Sequence, residues 1–339
     1  MTTITRIGLD LAKHVFAVHG VDLHGKPVLR KTLSRSKVVE FFAQLPPCLV
    51  GMEACASSHH WARELGKLGH TVRLMAPQFV RPYRKNEKND RNDAEAICEA
   101  VSRPTMRFVP VKSVEQHAGL TVHRVRARLV SERTALVNQV RGLLAEYGIV
   151  VAQGVARLRR ALPTILEDAA NSLPTLARQV FAERYGRLTE LEASIATYDQ
   201  HLATLVQASP AAQRLCQLGG VGPITASAVV ATIGDGKTFR NGRQFAAWLG
   251  LTPRQHSSGG KTRLGRISKR GDVYLRTLLI HGTRAVLRVS AKSTDAKSQW
   301  AERLKARRGA NVAAVALAAK HARILWALLA RDQDYRVAA

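Results

Sequence analysis

Four carboxylates stand where a purely structural role is hard to find for them. Asp10 lies in Ile7-Gly8-Leu9-Asp10-Leu11-Ala12-Lys13, near the end of an apolar run that reads as the first strand. Glu53 repeats the situation by closing the apolar run Leu49-Val50-Gly51-Met52. A buried carboxylate left unpaired costs several kcal/mol, so each demands a cationic partner or a metal. On adjacent strands, two such ends are separated by roughly the ~4.8 Å strand spacing, close enough to share divalent ions. Asp90 and Asp93 follow in Lys88-Asn89-Asp90-Arg91-Asn92-Asp93-Ala94, ahead of a helical run that ends at Val101. A helix starting at Asp90 turns both acids to one face. Singly, each has a bland explanation, Asp90 for instance as a helix N-cap. Together they offer four hard oxygen ligands, enough for two Mg²⁺ about 3.5–4 Å apart, the arrangement that activates a nucleophile and steadies the leaving oxygen in phosphodiester chemistry.

The elements that must position these acids read as an α/β sheet. Ile4–Leu11, Val15–Val21 and Pro27–Leu33 form an antiparallel meander of three strands. A helix over Ser36–Leu45, a strand over Leu49–Glu53, a helix over His60–Leu68 and a strand over Val72–Met75 follow. That order is the order of a ribonuclease H-like domain. From about Val114 to Leu205 the pattern becomes helical. Leu188, Leu191, Ile195, Tyr198, Leu202 and Leu205 are spaced as a coiled-coil seam requires, and Val122, Val125, Leu129, Leu136, Val140 and Leu143 form a similar stripe. Two readings of these stripes stand side by side: a helical hairpin within the chain, or an arm that joins subunits and touches a phosphate backbone.

Charge points to the partner. The 339 residues carry 52 Lys+Arg against 25 Asp+Glu, a formal net charge of +27, which calls for a polyanion such as nucleic acid. With 46% hydrophobic residues the chain has material for buried cores, and its length predicts two or three domains. The opening Met1-Thr2-Thr3-Ile4 is not a signal peptide, and no apolar stretch reads as a membrane span, so no membrane partner and a soluble, intracellular protein are expected. Cys48, Cys55, Cys98 and Cys216 lie far apart and read as reduced thiols. His59 and His60 point about 100° apart on a helix and are left out of the metal set.

The basic surplus concentrates towards the C-terminus. Arg254, Lys261, Arg263, Arg266, Lys269 and Arg270 crowd one segment, with Asp272 the acid that follows. Ahead of it, Leu218-Gly219-Gly220-Val221-Gly222-Pro223 leads into an Ala-rich helix and looks like a helix-hairpin-helix turn, in which Gly220 and Gly222 would let backbone N–H groups approach a DNA phosphate. Asn311–Leu329 reads as a long packing helix.

These motifs resemble a known family. Asp10 in G-L-D-L-A-K, Glu53 in G-M-E-A-C, the pair in K-N-D-R-N-D-A, then G-V-G-P-I-T-A, F-A-A-W-L-G-L-T-P and S-S-G-G-K-T-R-L-G-R-I-S-K-R-G-D resemble the DEDD-type insertion-sequence transposases, described as bridge-RNA-guided recombinases. The resemblance covers nearly the whole chain. It implies a RuvC-like catalytic domain over 1–110, a helical or coiled-coil arm over 111–208, and a mostly helical transposase domain over 209–339. It also implies that Asp10, Glu53, Asp90 and Asp93 are a Mg²⁺-binding tetrad and that Ser258 is the nucleophile that forms a phosphoserine link to DNA. Ser257 stands where many relatives have an acid. A serine hydroxyl needs activation, and His256 and the neighbouring cations supply candidate groups. The partners implied are donor DNA, target DNA, a structured bridge RNA and further copies of the chain, as dimers assembling to tetramers, in the bacterial cytoplasm at the nucleoid. Two other readings are a RuvC-like metal-dependent junction nuclease without a covalent intermediate, and a non-catalytic nucleic-acid-binding protein.

Overall fold

Alternation along the first strand buries Ile7 and Leu9 completely, and this pair seeds the core of a mixed sheet. The computed structural model describes residues 3–85 and 87–336; Met1 and Thr2, the start of the segment read as lacking a signal peptide, lie outside them. The chain divides into two compact units, Met1–Ser113 and Val114–Ala339.

In the first unit the elements run β1 (Arg6–Leu11), β2 (Val15–Val21), β3 (Pro27–Ser34), α1 (Val38–Ala43), β4 (Leu49–Glu53), α2 (Ser58–Lys67), β5 (Thr71–Met75), α3 (Pro77–Val80), α4 (Asp90–Val101) and β6 (Phe108–Val109). The sheet order is β3-β2-β1-β4-β5-β6. β2 is antiparallel to β1 and β3, whereas β4 and β5 run parallel to β1. The strands fall where the apolar runs place them. β3 lies at the edge, and its exposed Arg30 and Lys31 discourage pairing with another chain. α2 buries Ser58, Trp61, Ala62 and Leu65, the i, i+3, i+4, i+7 face of an amphipathic helix.

The second unit holds α5 (Val114–Ala145), α6 (Val155–Glu167), α7 (Thr175–Gln207), α8 (Pro210–Cys216), α9 (Pro223–Ile233), α10 (Gly242–Trp248), β7 (Pro253–Gln255), β8 (Leu264–Ile267), α11 (Val273–Val289), α12 (Ala296–Arg308) and α13 (Ala310–Ala330). The segments 111–208 and 209–339 share this unit, since α5 and α7 both pack on α9. Leu188, Leu191, Ile195 and Leu202 are buried, and α7 lies along α5 of the same chain. The ends of the predicted stripes shift: Leu143 and Leu205 are exposed, while Leu144 and Val206 are buried. A straight helix drifts about 20° per heptad from a 3.5-residue repeat, and over 32 and 33 residues that drift rotates the seam by one position. α13 corrects the reading that no stretch reaches bilayer length: by length and composition it is long and apolar enough to cross a membrane. It is packed against α10, α11 and α12, with half of its most apolar stretch buried, and this packing accounts for its composition.

Two histidines in this unit are almost fully enclosed. His123 on α5 bonds Tyr274 Oη through Nδ1 and Ser227 Oγ through Nε2, both at 3.1 Å, tying α5 to α11 and α9. Burial, with Arg126 adding to it, lowers its imidazole to about 4; burial and nearby lysines lower His321 to about 3. Unfolded imidazoles titrate near 6.5, so between the two values the unfolded chain binds more protons than the folded one. The two imidazoles' contribution to stability is therefore complete above pH 6.5 and falls as pH drops towards 4, by roughly 3 kcal/mol for each. Urea melts at pH 7 and pH 5 are expected to differ accordingly, and His123→Asn is expected to remove about half of the two imidazoles' contribution to the difference.

Candidate active site

Gly8 and Asp10 share one face of β1, and Gly51 and Glu53 share that of β4, because side chains alternate along a strand. The register pairs Leu9 with Met52, so Asp10 and Glu53 are the next residues on neighbouring parallel strands. α4 lies directly on the glycine face. A Cβ on Gly8 would sit 2.1 Å from the Ala94 carbonyl oxygen and 2.4 Å from the Cys98 nitrogen, and one on Gly51 would sit 2.8 Å from Val101 Cβ. Glycine at both positions is what lets this helix close onto the sheet and bring its first turn to the strand ends. Asn89 caps α4, its side chain accepting from the Asn92 N–H at 2.9 Å. The helix thus begins at Asp90, Asp90 is not its cap, and Asp90 and Asp93 both fall in the first turn, where the helix dipole favours negative charge.

The electrostatics couple Asp10 to the other three acids. Burial raises the Asp10 carboxyl to about 6, with Asp93, Asp90 and Glu53 adding repulsion and the Leu11 N–H opposing it. Glu53 is also raised, by burial and then by Asp93, while Lys88 and Arg84 pull it back. Arg84 Nη1 bonds Asp93 Oδ1 at 3.2 Å. Among the described residues no salt bridge reaches Asp10, Glu53 or Asp90, and no three acidic, histidine or cysteine side chains close to ligating distance of one point. The donor set nevertheless suits a hard divalent cation: it is all oxygen, partly withdrawn from water, and mutually repulsive. His59 accepts from the Lys112 backbone N–H at 3.1 Å and stays outside this group.

The serine segment is a β-hairpin. β7 and β8 are antiparallel, with Pro253 opposite Ile267 and Gln255 opposite Leu264. At its tip Ser258 pairs with Lys261, whose N–H donates to the Ser258 carbonyl at 3.0 Å, and Gly259 and Gly260 take φ of 55° and 74°. Two positive φ values between paired residues define the tight turn whose twist matches antiparallel strands. The two serines differ. Ser257 Oγ accepts from Gln255 Nε2 at 2.9 Å and from the Arg263 N–H at 3.2 Å, whereas the exposed Ser258 hydroxyl has no hydrogen-bond partner among the described residues. Arg254, Lys261, Arg263, Arg266, Lys269 and Arg270 are all exposed, and none forms a salt bridge among the described residues.

The base of this hairpin is an interlock that sequence reasoning missed. Gly250 and Gly271 have φ of +70° and +80°. A Cβ on Gly271 would lie 1.7 Å from the Trp248 carbonyl oxygen, and one on Gly250 would lie 2.2 Å from that of Arg270. Arg276, only 8% exposed, spans the junction by donating from Nη1 to the carbonyls of Leu249 at 2.9 Å and Arg270 at 3.1 Å. The glycine spacing was visible in the sequence, but nothing local marks Arg276 as buried.

The glycine turn before α9 divides in two. A Cβ on Gly220 would meet Val286 at 2.7 Å and the Gly282 carbonyl at 2.8 Å, so the need for glycine there is met by packing on α11. Gly222 is exposed with nothing within 4 Å and precedes Pro223 at the start of α9.

A mixed α/β unit with clustered acids, followed by a helical unit bearing a basic hairpin, meets its counterparts among transposases. Residues 7–149 match the DEDD-type transposase model of IS110 elements, and residues 212–299 match the family described as Transposase IS116/IS110/IS902. A Pseudomonas aeruginosa protein named "Probable family 20 transposase" is 59% identical over 334 residues, covering 98% of this chain and 99% of its own. The Coxiella burnetii transposase for insertion sequence element IS1111A is 46% identical, covering 100% of this chain and 93% of its own. The Yersinia enterocolitica transposase for IS1328 is 42% identical, covering 96% and 97% respectively. The chain belongs to the IS110 family of transposases, enzymes that act on DNA.

Proposed function

We propose that this transposase cuts and rejoins DNA through a covalent phosphoserine intermediate, with Asp10, Glu53, Asp90 and Asp93 as the set that holds Mg²⁺. The observation that carries the reading is the concentration of Glu53, Asp90 and Asp93 around Asp10, with no salt bridge to Asp10, Glu53 or Asp90 among the described residues, in a chain of net charge +27. When bound, Mg²⁺ would supply neutralisation of the charge that develops at the scissile phosphate. The strand order 3-2-1-4-5 with an antiparallel second strand supports the RuvC/ribonuclease H-like assignment of 1–110. The paired long helices support a coiled-coil arm over 111–208, and α8 and α9 support a helix-hairpin-helix-like turn within the transposase domain over 209–339.

Ser258 presents a free hydroxyl at a hairpin tip flanked by cations suited to a phosphate in transition. Its Oγ–P bond forms as the P–O bond to the departing strand breaks. The serine proton leaves to a base and the departing oxygen takes one up; religation reverses each transfer. The six exposed hairpin cations, with Gly220 and Gly222, are the proposed DNA contacts. Donor and target DNA, a bridge RNA and a dimer assembling to a tetramer complete the reading, in the cytoplasm and without a membrane partner. Because the α7 stripe is already covered by α5, subunit contacts would use other faces of the arm.

Denaturing gels after incubation with labelled element DNA and co-purified RNA test this. Label is expected to remain on the wild-type protein and on Ser257→Ala, and to be lost from Ser258→Ala. Cleavage without any retained label would instead favour a metal-dependent nuclease.

A further inference from the structure

Beside the acids lies a cleft of about 490 Å³ whose lining includes Glu53, Gln78, Arg81, Arg84, Lys88 and Asp93. Three cations face two acids there, and their pairing is incomplete. Arg84 touches Asp93 through one nitrogen only, at 3.2 Å, with the two side chains 25% and 20% exposed. Arg81 and Lys88 form no salt bridge among the described residues. Arg84 is placed by the turn that follows α3, its N–H donating to the Arg81 carbonyl at 3.2 Å, and that turn packs on α4.

We propose that this cleft seats one backbone phosphate of a DNA strand and that Arg84 passes from Asp93 to that phosphate when the strand arrives. A guanidinium is a planar fork matched to two oxygens of a phosphate or carboxylate, so a single contact leaves most of its donors unused. Exchanging one anion for another keeps Arg84 neutralised. It also frees Asp93 into a group of acids that already repel one another, and this raises the demand for a divalent cation. Strand binding and cation binding then assist each other, and by linkage each strengthens the other by the same factor. Before DNA is bound, Arg84 holds the fourth acid out of use. The proposal rests on the reading of the four acids as cation ligands.

The test is calorimetric titration of Mn²⁺ into the full-length protein, with and without a non-cleavable DNA oligonucleotide. Wild type is expected to bind Mn²⁺ at least about 5-fold more tightly when DNA is present. Arg84→Gln is expected to show the tighter binding without DNA and to lose the DNA-dependent gain; Arg84→Lys, which keeps the charge without the fork, is expected to fall between. Equal Mn²⁺ affinity in wild type and Arg84→Gln, or a full DNA-dependent gain in the variant, overturns the exchange. Asp10→Asn separates the two ideas. If wild type has no saturable Mn²⁺ site that this variant removes, the cation reading fails. The phosphate seat is then judged by DNA titration alone, where Arg81→Gln and Arg84→Gln are each expected to lower the salt slope by about 1; unchanged slopes overturn it.

Discussion

Asp10→Asn is expected to reduce DNA strand cleavage by about 1,000-fold, equivalent to roughly 4 kcal/mol of transition-state stabilisation, while making the metal-free protein more stable. The two effects share one cause. The Asp10 carboxyl is raised to about 6 by burial and by three other acids, so its ionised form is held against an opposing field. An amide of the same shape relieves that cost. Above pH 6 the folded wild type bears the whole penalty; as pH falls towards the ordinary value of 3.8 the folded state takes up a proton and the penalty disappears. The variant's advantage is therefore greatest at pH 7.5 and fades in acid. Allowing for solvent screening it amounts to about 1–2 kcal/mol, or a few degrees in melting temperature. Calorimetry in EDTA and a cleavage assay on the same preparation check both. A variant that cuts like wild type removes Asp10 from the chemistry, and one that melts earlier makes it a structural residue.

The second large effect is expected at the base of the serine hairpin. Gly271→Ala drives a methyl group against the Trp248 carbonyl at 1.7 Å and places a side chain at φ +80°. Overpacking and the left-handed backbone together cost more than about 3 kcal/mol. Gly260→Ala has a similar φ of +74° but open space around it, and should cost only about 1 kcal/mol. Arg276→Met leaves one buried and one partly buried carbonyl without their donor, at about 2–4 kcal/mol. Chemical denaturation ranks these variants, and limited proteolysis within 253–268 reports whether the hairpin has lost its footing. A Gly271→Ala protein no less stable than Gly260→Ala would mean that the close approach does not constrain the fold.

Much of the first unit was legible because its signals are local. Apolar runs ending in turn residues marked β1 to β5 closely, and the spacing of Asp90 and Asp93 fitted a helix starting at Asp90, where α4 begins. Asp10 and Glu53 stood out for the same reason, each being a charge at the end of an apolar run, whereas Asp90 and Asp93 stood out by their three-residue spacing ahead of a helical run. What joined them was written in the sequence but not read: Gly8 and Gly51 stand two residues before Asp10 and Glu53, a repeat that marks where a helix lies down on the sheet. Arg84 as the counter-ion of Asp93, and Arg276 as the tie across the hairpin base, depend on approaches between segments that no spacing rule announces. The seams of α5 and α7 were found but their ends were displaced, because small angular errors accumulate along a long helix.

The glycine pair at the hairpin tip leaves the backbone bare at 259 and 260, with nothing within 4 Å of either position. A polynucleotide sugar can lie flat over that gap, separated from the peptide plane by hydrogen atoms alone. If Ser258 attacks as proposed, a bulkier residue there would act as a spacer, lifting the scissile bond out of reach of the adjoining hydroxyl even in a protein that folds and grips its substrate normally.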